Sequence, residues 1–144
     1  MPKKILCATD GTEVSHKAEA FAAKIARLVG AELTFVHVSE VNPSELTPVA
    51  TSWETIIPEE VAAREHNVLQ HAEEVARLHG YSSGRYLTVR SRDVAKAVVA
   101  LAEKEGFEHI VAGSNGREGI PRFLLGSVAA AIIQKAHCPV TVVR

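Results

Sequence analysis

Residues 4–38 read KILCATDGTEVSHKAEAFAAKIARLVGAELTFVHV and decide the fold. The run Lys4 to Ala8 lacks polar alternation, which indicates a strand covered on both faces, and residues 9–12 have turn chemistry. From Glu13 to Val29 apolar residues recur at helical spacing, and Gly30 is a suitable helix stop. Leu33 to Val38 is again strand-like. The stretch therefore predicts a strand, a helix and a second strand.

The same alternation continues through the rest of the chain. Residues 42–57 contain two prolines and predict a long connection, and residues 113–126 contain four glycines between a strand and a helix. Further helices are predicted from about residue 59 to Gly80, from the N-cap Asp93 to Gly106, and over residues 128–136. The remaining predicted strands are residues 85–89, 109–112 and 140–143.

Five strands that alternate with four helices predict an α/β fold with parallel strands joined by right-handed crossovers. The economical architecture is a three-layer sandwich, with helices on both faces of a five-stranded parallel sheet. If the strand order is 3-2-1-4-5, the winding reverses between strands one and four. Ligands of open parallel sheets bind at the carboxyl ends of such strands. The loops 9–12 and 113–127 are then expected to meet at a ligand site.

Composition limits the classes of protein that this chain can belong to. Its 144 residues, 47% of them hydrophobic, fit one globular domain over residues 1–144. A formal charge of −1 argues against nonspecific nucleic-acid binding. The longest apolar runs, residues 97–102 and 128–133, are too short to cross a membrane, and no secretory leader is recognisable. We expect a cytoplasmic protein in which Cys7 and Cys138 are buried, reduced thiols.

The glycine-rich segment after the fourth strand carries the strongest functional signal. Glycines expose main-chain amides, and amides in front of a helix N-terminus form an anion site. Ser127 adds a hydroxyl there, and Arg117 and Arg122 are candidates for phosphate charge. Alternatively, a long strand-to-helix loop simply needs glycines to turn. Neither a GxGxxG motif nor a Walker-type phosphate loop occurs in the chain.

The arrangement Gly113-x-x-Gly116, nine residues, Gly126-Ser127 resembles the nucleotide-binding signature of the universal stress protein family. The resemblance extends over the whole chain. It includes the opening Lys-Lys-Ile-Leu strand that ends in Thr9-Asp10, the His37-Val38 strand end, residues 124–128 and the closing residues 138–143. One departure is Asn115, which stands where the family often has His or Arg.

The resemblance implies a sheet in 3-2-1-4-5 order and a site for ATP with Mg²⁺ or Mn²⁺. Asp10 would lie by the ribose and phosphates and hold the metal, and the main chain around Val38 would contact the adenine edge. Ala112 and Gly113 would line the nucleoside. The phosphates would be held by main-chain amides of Gly116, Gly126, Ser127 and Val128. The complete predicted set is Ala8, Thr9, Asp10, Val38, Ala112, Gly113, Asn115, Gly116, Arg117, Gly126, Ser127 and Val128.

Other groups that could carry chemistry have plainer interpretations. The seven histidines are scattered and indicate surface or structural roles, with His37 interpreted as a buried strand histidine. Glu59, Glu60, Glu65, Glu73 and Glu74 are expected on the solvated face of one helix. We recognise no catalytic motif, and expect at most weak ATP hydrolysis.

The last strand suggests a partner. Residues Val140, Thr141, Val142 and Val143 fall at a sheet edge and are uncharged, and such an edge is normally covered. Pairing with the same strand of a second copy would cover it, and the resemblance implies the same homodimer. The leading hypothesis is an ATP-binding dimeric module in stress response or signalling. The alternatives are a slow ATPase or adenylate-forming enzyme, and a nucleotide-free dimeric signalling protein.

Overall fold

A computed structural model describes residues 1–40, 47–48, 55–56, 59–114 and 125–144. Its four helices are α1 (Glu13–Val29), α2 (Glu59–Leu78), α3 (Val94–Glu105) and α4 (Ser127–Lys135). Its strands are β1 (Lys4–Ala8), β2 (Glu32–Ser39), β3 (Thr47–Pro48), β4 (Thr55–Ile56), β5 (Arg85–Arg90), β6 (His109–Gly113) and β7 (Val140–Val143).

The main sheet has five parallel strands in the order β5-β2-β1-β6-β7. Numbered along the chain, these five strands have the order 3-2-1-4-5, so the predicted fold class is confirmed. The short strands β3 and β4 form a separate antiparallel pair within the predicted long connection. Two-residue strands are too short to produce a recognisable hydrophobic period, which is why the sequence did not predict them.

Two cores lie on the two faces of the sheet. Ile5 and Cys7 of β1 point toward α1 and α2, whereas Leu6 points toward α3 and α4. This alternation follows from the two-residue period of a strand, and it requires apolar side chains on both faces of a central strand. Ile5, Leu6 and Cys7 are fully buried. The uninterrupted apolar run in β1 is thus explained by helices on both sides.

Helix ends follow the predicted chemistry. The Thr12 side chain caps α1 by accepting a hydrogen bond from the Ser15 amide, and the predicted N-cap Asp93 accepts one from the Lys96 amide. Gly30 and Gly106 end α1 and α3 in the left-handed conformation, with φ of 69° and 71°. No helix in these described ranges is long and apolar enough to cross a membrane.

Two predictions about individual side chains are wrong. Glu65 does not lie on a solvated face: it is buried, and its carboxylate pairs with Arg90 of β5 at 3.0 Å. The helical pattern could not show that β5 places a cation beside it. Cys7 is buried as expected, but Cys138 is only partly buried. Burial raises the pKa of both thiols, so both favour the protonated form.

Candidate functional site

A cavity of about 270 Å³ opens where the carboxyl ends of β1, β2 and β6 meet the first turn of α4. This is the point at which the strand order reverses, because β1 pairs with β2 on one side and with β6 on the other. The described lining residues are Ala8, Thr9, Asp10, Thr12, Ser15, Val36, Val38, Glu40, Val94, Val98, Ala112, Gly113, Ser114, Gly126, Ser127, Val128, Ala129 and Ile132.

Nine of the predicted site residues line this cavity. They come from four separate parts of the chain: Ala8, Thr9, Asp10, Val38, Ala112, Gly113, Gly126, Ser127 and Val128. Asn115, Gly116 and Arg117, together with Arg122, lie outside the described residues. The fold thus assembles in one place the strand ends and the helix start that the sequence analysis singled out.

The turn after β1 presents an exposed carboxylate at the cavity. Asp10 Oδ1 accepts hydrogen bonds from the Thr12 amide at 2.9 Å and from the Thr12 hydroxyl at 2.6 Å. Thr12 in turn caps α1, so the position of the carboxylate is tied to the start of that helix. Gly11 permits the turn, because its φ of 81° lies in the left-handed region.

A buried polar network lies directly behind this turn. Ser15 Oγ accepts a hydrogen bond from the Asp10 amide at 3.2 Å and also contacts the Thr9 hydroxyl. The Thr9 and Ser15 hydroxyls both donate to Oε1 of Glu19, which is fully buried in α1. Burial raises the pKa of Glu19 to about 7, against the opposing effect of these two hydrogen bonds. An ionisable group is therefore connected to the cavity wall through two hydroxyls.

The end of β2 forms the adjacent wall of the cavity. Val38 lines the cavity and is nearly fully buried. His37 is buried as predicted, and its Nδ1 donates a hydrogen bond to the Thr9 carbonyl at 3.0 Å. This bond fixes the ring behind the turn and links the ends of β1 and β2. His37 is therefore a structural histidine of the site wall.

The N-terminus of α4 faces the cavity without a side-chain cap. Its N-cap is Gly126, which has no side chain to satisfy the first amides of the helix, in contrast to Thr12 of α1 and Asp93 of α3. The Gly126 amide donates to the Ser114 carbonyl at 2.7 Å, which holds the helix start against the end of β6. The first amides of a helix have no partner within it, and together with the positive end of the helix dipole they favour an anion.

Gly113 has a packing role that the glycine pattern did not reveal. A Cβ on this residue would lie 3.0 Å from Cγ1 of Val14 and 3.3 Å from the Val14 carbonyl carbon. The end of β6 therefore approaches the first turn of α1 more closely than a side chain would allow. Gly113 also lines the cavity, so this packing constraint lies at the edge of the candidate site.

Seven described lining residues lie outside both the predicted set and the two predicted loops, whereas Thr12 and Ser114 belong to those loops. Most of the seven are core residues without a chemical signature of their own: Ser15, Val36, Glu40, Val94, Val98, Ala129 and Ile132. Glu40 carried a usable signal, because it is an exposed acid that directly follows β2. The helix residues carried no such signal in the sequence, because their contact with the cavity depends on how each helix packs against the sheet.

The sequence model of the universal stress protein family matches residues 1–144. This chain belongs to the universal stress protein family. Among its relatives, universal stress protein MJ0531 of Methanocaldococcus jannaschii is 36% identical over 142 residues, which cover 99% of this chain and 82% of the relative. Universal stress protein YxiE of Bacillus subtilis is 33% identical over 150 residues, with 100% of both chains covered.

Solved structures of other universal stress proteins share the fold. One was determined in complex with cAMP. It superposes with a TM-score of 0.78 at 22% sequence identity, and the alignment covers 99% of this chain and 97% of the other. Another, from Archaeoglobus fulgidus in complex with dAMP, superposes with a TM-score of 0.73 at 24% identity, covering 98% of this chain and 97% of the other.

Proposed function

We propose that this universal stress protein binds ATP with Mg²⁺ in the described cavity. It then acts in the cytoplasm as a nucleotide-dependent dimeric module in stress response or signalling. The observation that carries the proposal is that Asp10 and the N-terminus of α4, which has no side-chain cap, line the same cavity at the switch point. Two relatives of the same fold were solved with cAMP and dAMP, which supports an adenine nucleotide as the ligand class.

The cavity has one apolar wall and one polar wall. Val36, Val38, Val94, Val98 and Ile132 supply apolar surface, as a planar base requires. The main-chain polar groups around Val38 would recognise the adenine edge, with Ala8, Ala112 and Gly113 beside the sugar.

The phosphates would extend over the start of α4. There the amides of Gly126, Ser127 and Val128 and the Ser127 hydroxyl would bind them. In our proposal Thr9 supports the turn that faces the phosphates. Asn115, Gly116 and Arg117 complete the phosphate contacts.

The residues present fit a nucleotide-bound Mg²⁺. This ion prefers oxygen ligands and is usually held by one or two carboxylates together with phosphates and waters. Asp10 provides an exposed carboxylate next to the hydroxyl of Thr12, in the same cavity as the proposed phosphate position. The ion would neutralise phosphate charge, and Asp10 would hold it in place.

Binding is favoured over turnover by the chemistry of the cavity wall. The described lining residues include no lysine, arginine or histidine. In this proposal Arg117 and the Mg²⁺ ion supply the positive charge at the phosphates, and no residue is assigned to position an attacking water. We therefore propose that any ATP hydrolysis is slow, which phosphate release measured over hours would test.

The proposed dimer is formed by the free edge of β7. This strand pairs with β6 on one side, and each of its four residues is partly exposed. Antiparallel pairing of two β7 strands about a twofold axis would join the two sheets and cover both edges.

The nucleotide proposal is tested by thermal unfolding and calorimetry of the whole chain with ATP and Mg²⁺. At about 100 times Kd, the nucleotide should stabilise the fold by about 2.7 kcal/mol. Asp10→Asn keeps an oxygen that can accept from Thr12 but removes the charge. It should lose the Mg²⁺-dependent part of binding, whereas Glu74→Gln on the exposed face of α2 should not. Absence of stabilisation at millimolar ATP would rule out the proposal.

A further inference from the structure

A second cluster of ligand-type side chains lies outside the nucleotide cavity. His16 and Glu19 of α1 and His71 of α2 each offer one ligand atom, and these three atoms lie within 4.8 Å of one another. None of the three residues lines the cavity at the strand ends. His16 and Glu19 are three positions apart and so share one face of α1. His71 comes from the neighbouring helix, 55 residues further along the chain.

We propose that His16, Glu19 and His71 form a binding site for a divalent transition-metal ion of the zinc class, which would bridge α1 and α2. Imidazole nitrogens suit Zn²⁺, Cu²⁺ and Ni²⁺, whereas Mg²⁺ and Ca²⁺ prefer oxygen ligands. Two histidines and one carboxylate are an established ligand set for Zn²⁺, with a water in the fourth position.

The buried carboxylate supplies independent support. Glu19 is fully buried, and its Oε2 atom has no hydrogen-bond partner among the described residues. A buried oxygen without a partner is costly, and a bound cation would satisfy it. Its Oε1 atom accepts hydrogen bonds from the Thr9 and Ser15 hydroxyls, which fix the orientation of the carboxylate. Such outer contacts are typical of ligating carboxylates.

The two imidazoles are already close. Their ring centroids are 4.0 Å apart, and their planes are inclined by 21°. Burial and the neighbouring His71 lower the pKa of His16, against the opposing influence of Asp10 and Glu13. A neutral imidazole is the form that binds a metal ion.

Only a small rearrangement is needed to close the site. Tetrahedral coordination at about 2.0 to 2.1 Å places ligand atoms about 3.3 Å apart. His71 is exposed, so its ring can turn from the stacked position toward the ion, and the ion can enter from the same side. The helices themselves are held in place by small buried residues, Ala22 of α1 and Ala72 and Ala76 of α2.

The proposal is tested by titrating Zn²⁺ into the metal-stripped full chain, without nucleotide, by isothermal calorimetry. We expect one Zn²⁺ per chain, and His71→Gln should weaken binding at least about tenfold. His71 is exposed, so this variant should keep the fold although the ring contact with His16 is lost. The control His66→Gln removes another exposed α2 histidine and should bind as the unchanged chain does. Because nucleotide is absent, the result does not depend on the proposed ATP site.

Two further experiments identify the side chains that bind the ion. Co²⁺ bound in place of Zn²⁺ should give the visible absorption of a tetrahedral site, and this absorption should be lost in His16→Gln. A different group of metal-ligand side chains is formed by Cys138, the preceding His137 and Glu103, whose Oε2 is 3.7 Å from His137 Nε2. Cys138→Ser tests whether Zn²⁺ binds there instead. The proposal is overturned if micromolar Zn²⁺ does not bind, if His71→Gln binds equally well, or if Cys138→Ser abolishes binding.

Discussion

At the scale of single residues, the least predictable feature is a carboxylic acid inside a helix interface. In sequence Glu19 is one of many helical acids, yet it is fully buried and accepts hydrogen bonds from Thr9 and Ser15. By contrast, the roles of Asp10 in a turn and of Asp93 as an N-cap were predictable, because turn and cap chemistry is local. The surroundings of Glu19 and Glu65 are set by other elements, which a local pattern does not contain.

The raised pKa of Glu19 predicts a specific dependence of stability on pH. Its pKa is about 7 in the folded chain against 4.5 for a free side chain. Between these values the folded state binds more protons than the unfolded state, so the free energy of unfolding falls as pH rises. The fall from this group amounts to about 2 to 3 kcal/mol between pH 4.5 and 7. Above pH 7 it levels off.

Urea unfolding in the presence of a chelator, at several pH values from 4.5 to 8, measures this effect. Glu19→Gln keeps an acceptor for Thr9 and Ser15 but does not titrate. The difference between the two stability curves isolates the contribution of the Glu19 carboxyl group. Curves that run parallel across this range would show that Glu19 is not perturbed.

At the scale of elements, the decisive contrast is among helix N-termini. Thr12 and Asp93 cap α1 and α3 with their side chains, whereas α4 begins after Gly126 and has no such cap. The sequence showed the glycine and the serine but not the direction in which the helix points. That direction is set by the packing of α4 against α3 and the sheet, which a local pattern does not contain. The position of the cavity was therefore predictable from the strand order, whereas the helix residues that line it were not.

Ser127→Asp separates the stability of α4 from its proposed role in binding phosphate. An acid in the first turn interacts favourably with the helix dipole and stabilises the helix by about 0.3 to 1 kcal/mol. The variant should therefore be at least as stable as the unchanged chain. The same charge would repel a triphosphate. We expect ATP binding at least about tenfold weaker by calorimetry, a loss of about 1.4 kcal/mol.

The neutral variant Ser127→Asn controls for the change in size at this position. It should bind ATP far better than Ser127→Asp does. If Ser127→Asp bound ATP as tightly as the unchanged chain, the phosphates would not lie over the start of α4.

At the scale of the whole molecule, alternation of strands and helices was enough to predict the sheet. Each strand–helix–strand unit admits one handedness, so few arrangements remain for five parallel strands. Contacts between distant elements were not predictable in the same way. The stacking of His16 on His71 depends on the packing of α1 against α2. That packing is determined by small buried alanines rather than by any motif.

The free edge of β7 leads to a prediction about assembly. Pro139 and Val143 direct their carbonyls toward β6, where they accept from the Ile110 amide at 3.0 Å and the Ser114 amide at 2.8 Å. The N–H and C=O of one residue point to the same side of a strand, and this side alternates from residue to residue. The N–H and C=O groups of Val140 and Val142 therefore point toward the free edge. Val142→Pro would remove an edge donor without removing a bond to β6.

We therefore expect Val142→Pro to shift the proposed homodimer toward monomer, measured by sedimentation equilibrium over a range of concentrations. Val142→Thr is the matched control, because it keeps the backbone donor and a β-branched side chain, and it should remain dimeric. Circular dichroism and thermal unfolding of both variants establish that the sheet is intact. A dimer that survives Val142→Pro in a folded chain would place the interface on another surface, because an edge-to-edge contact requires the amide that proline lacks.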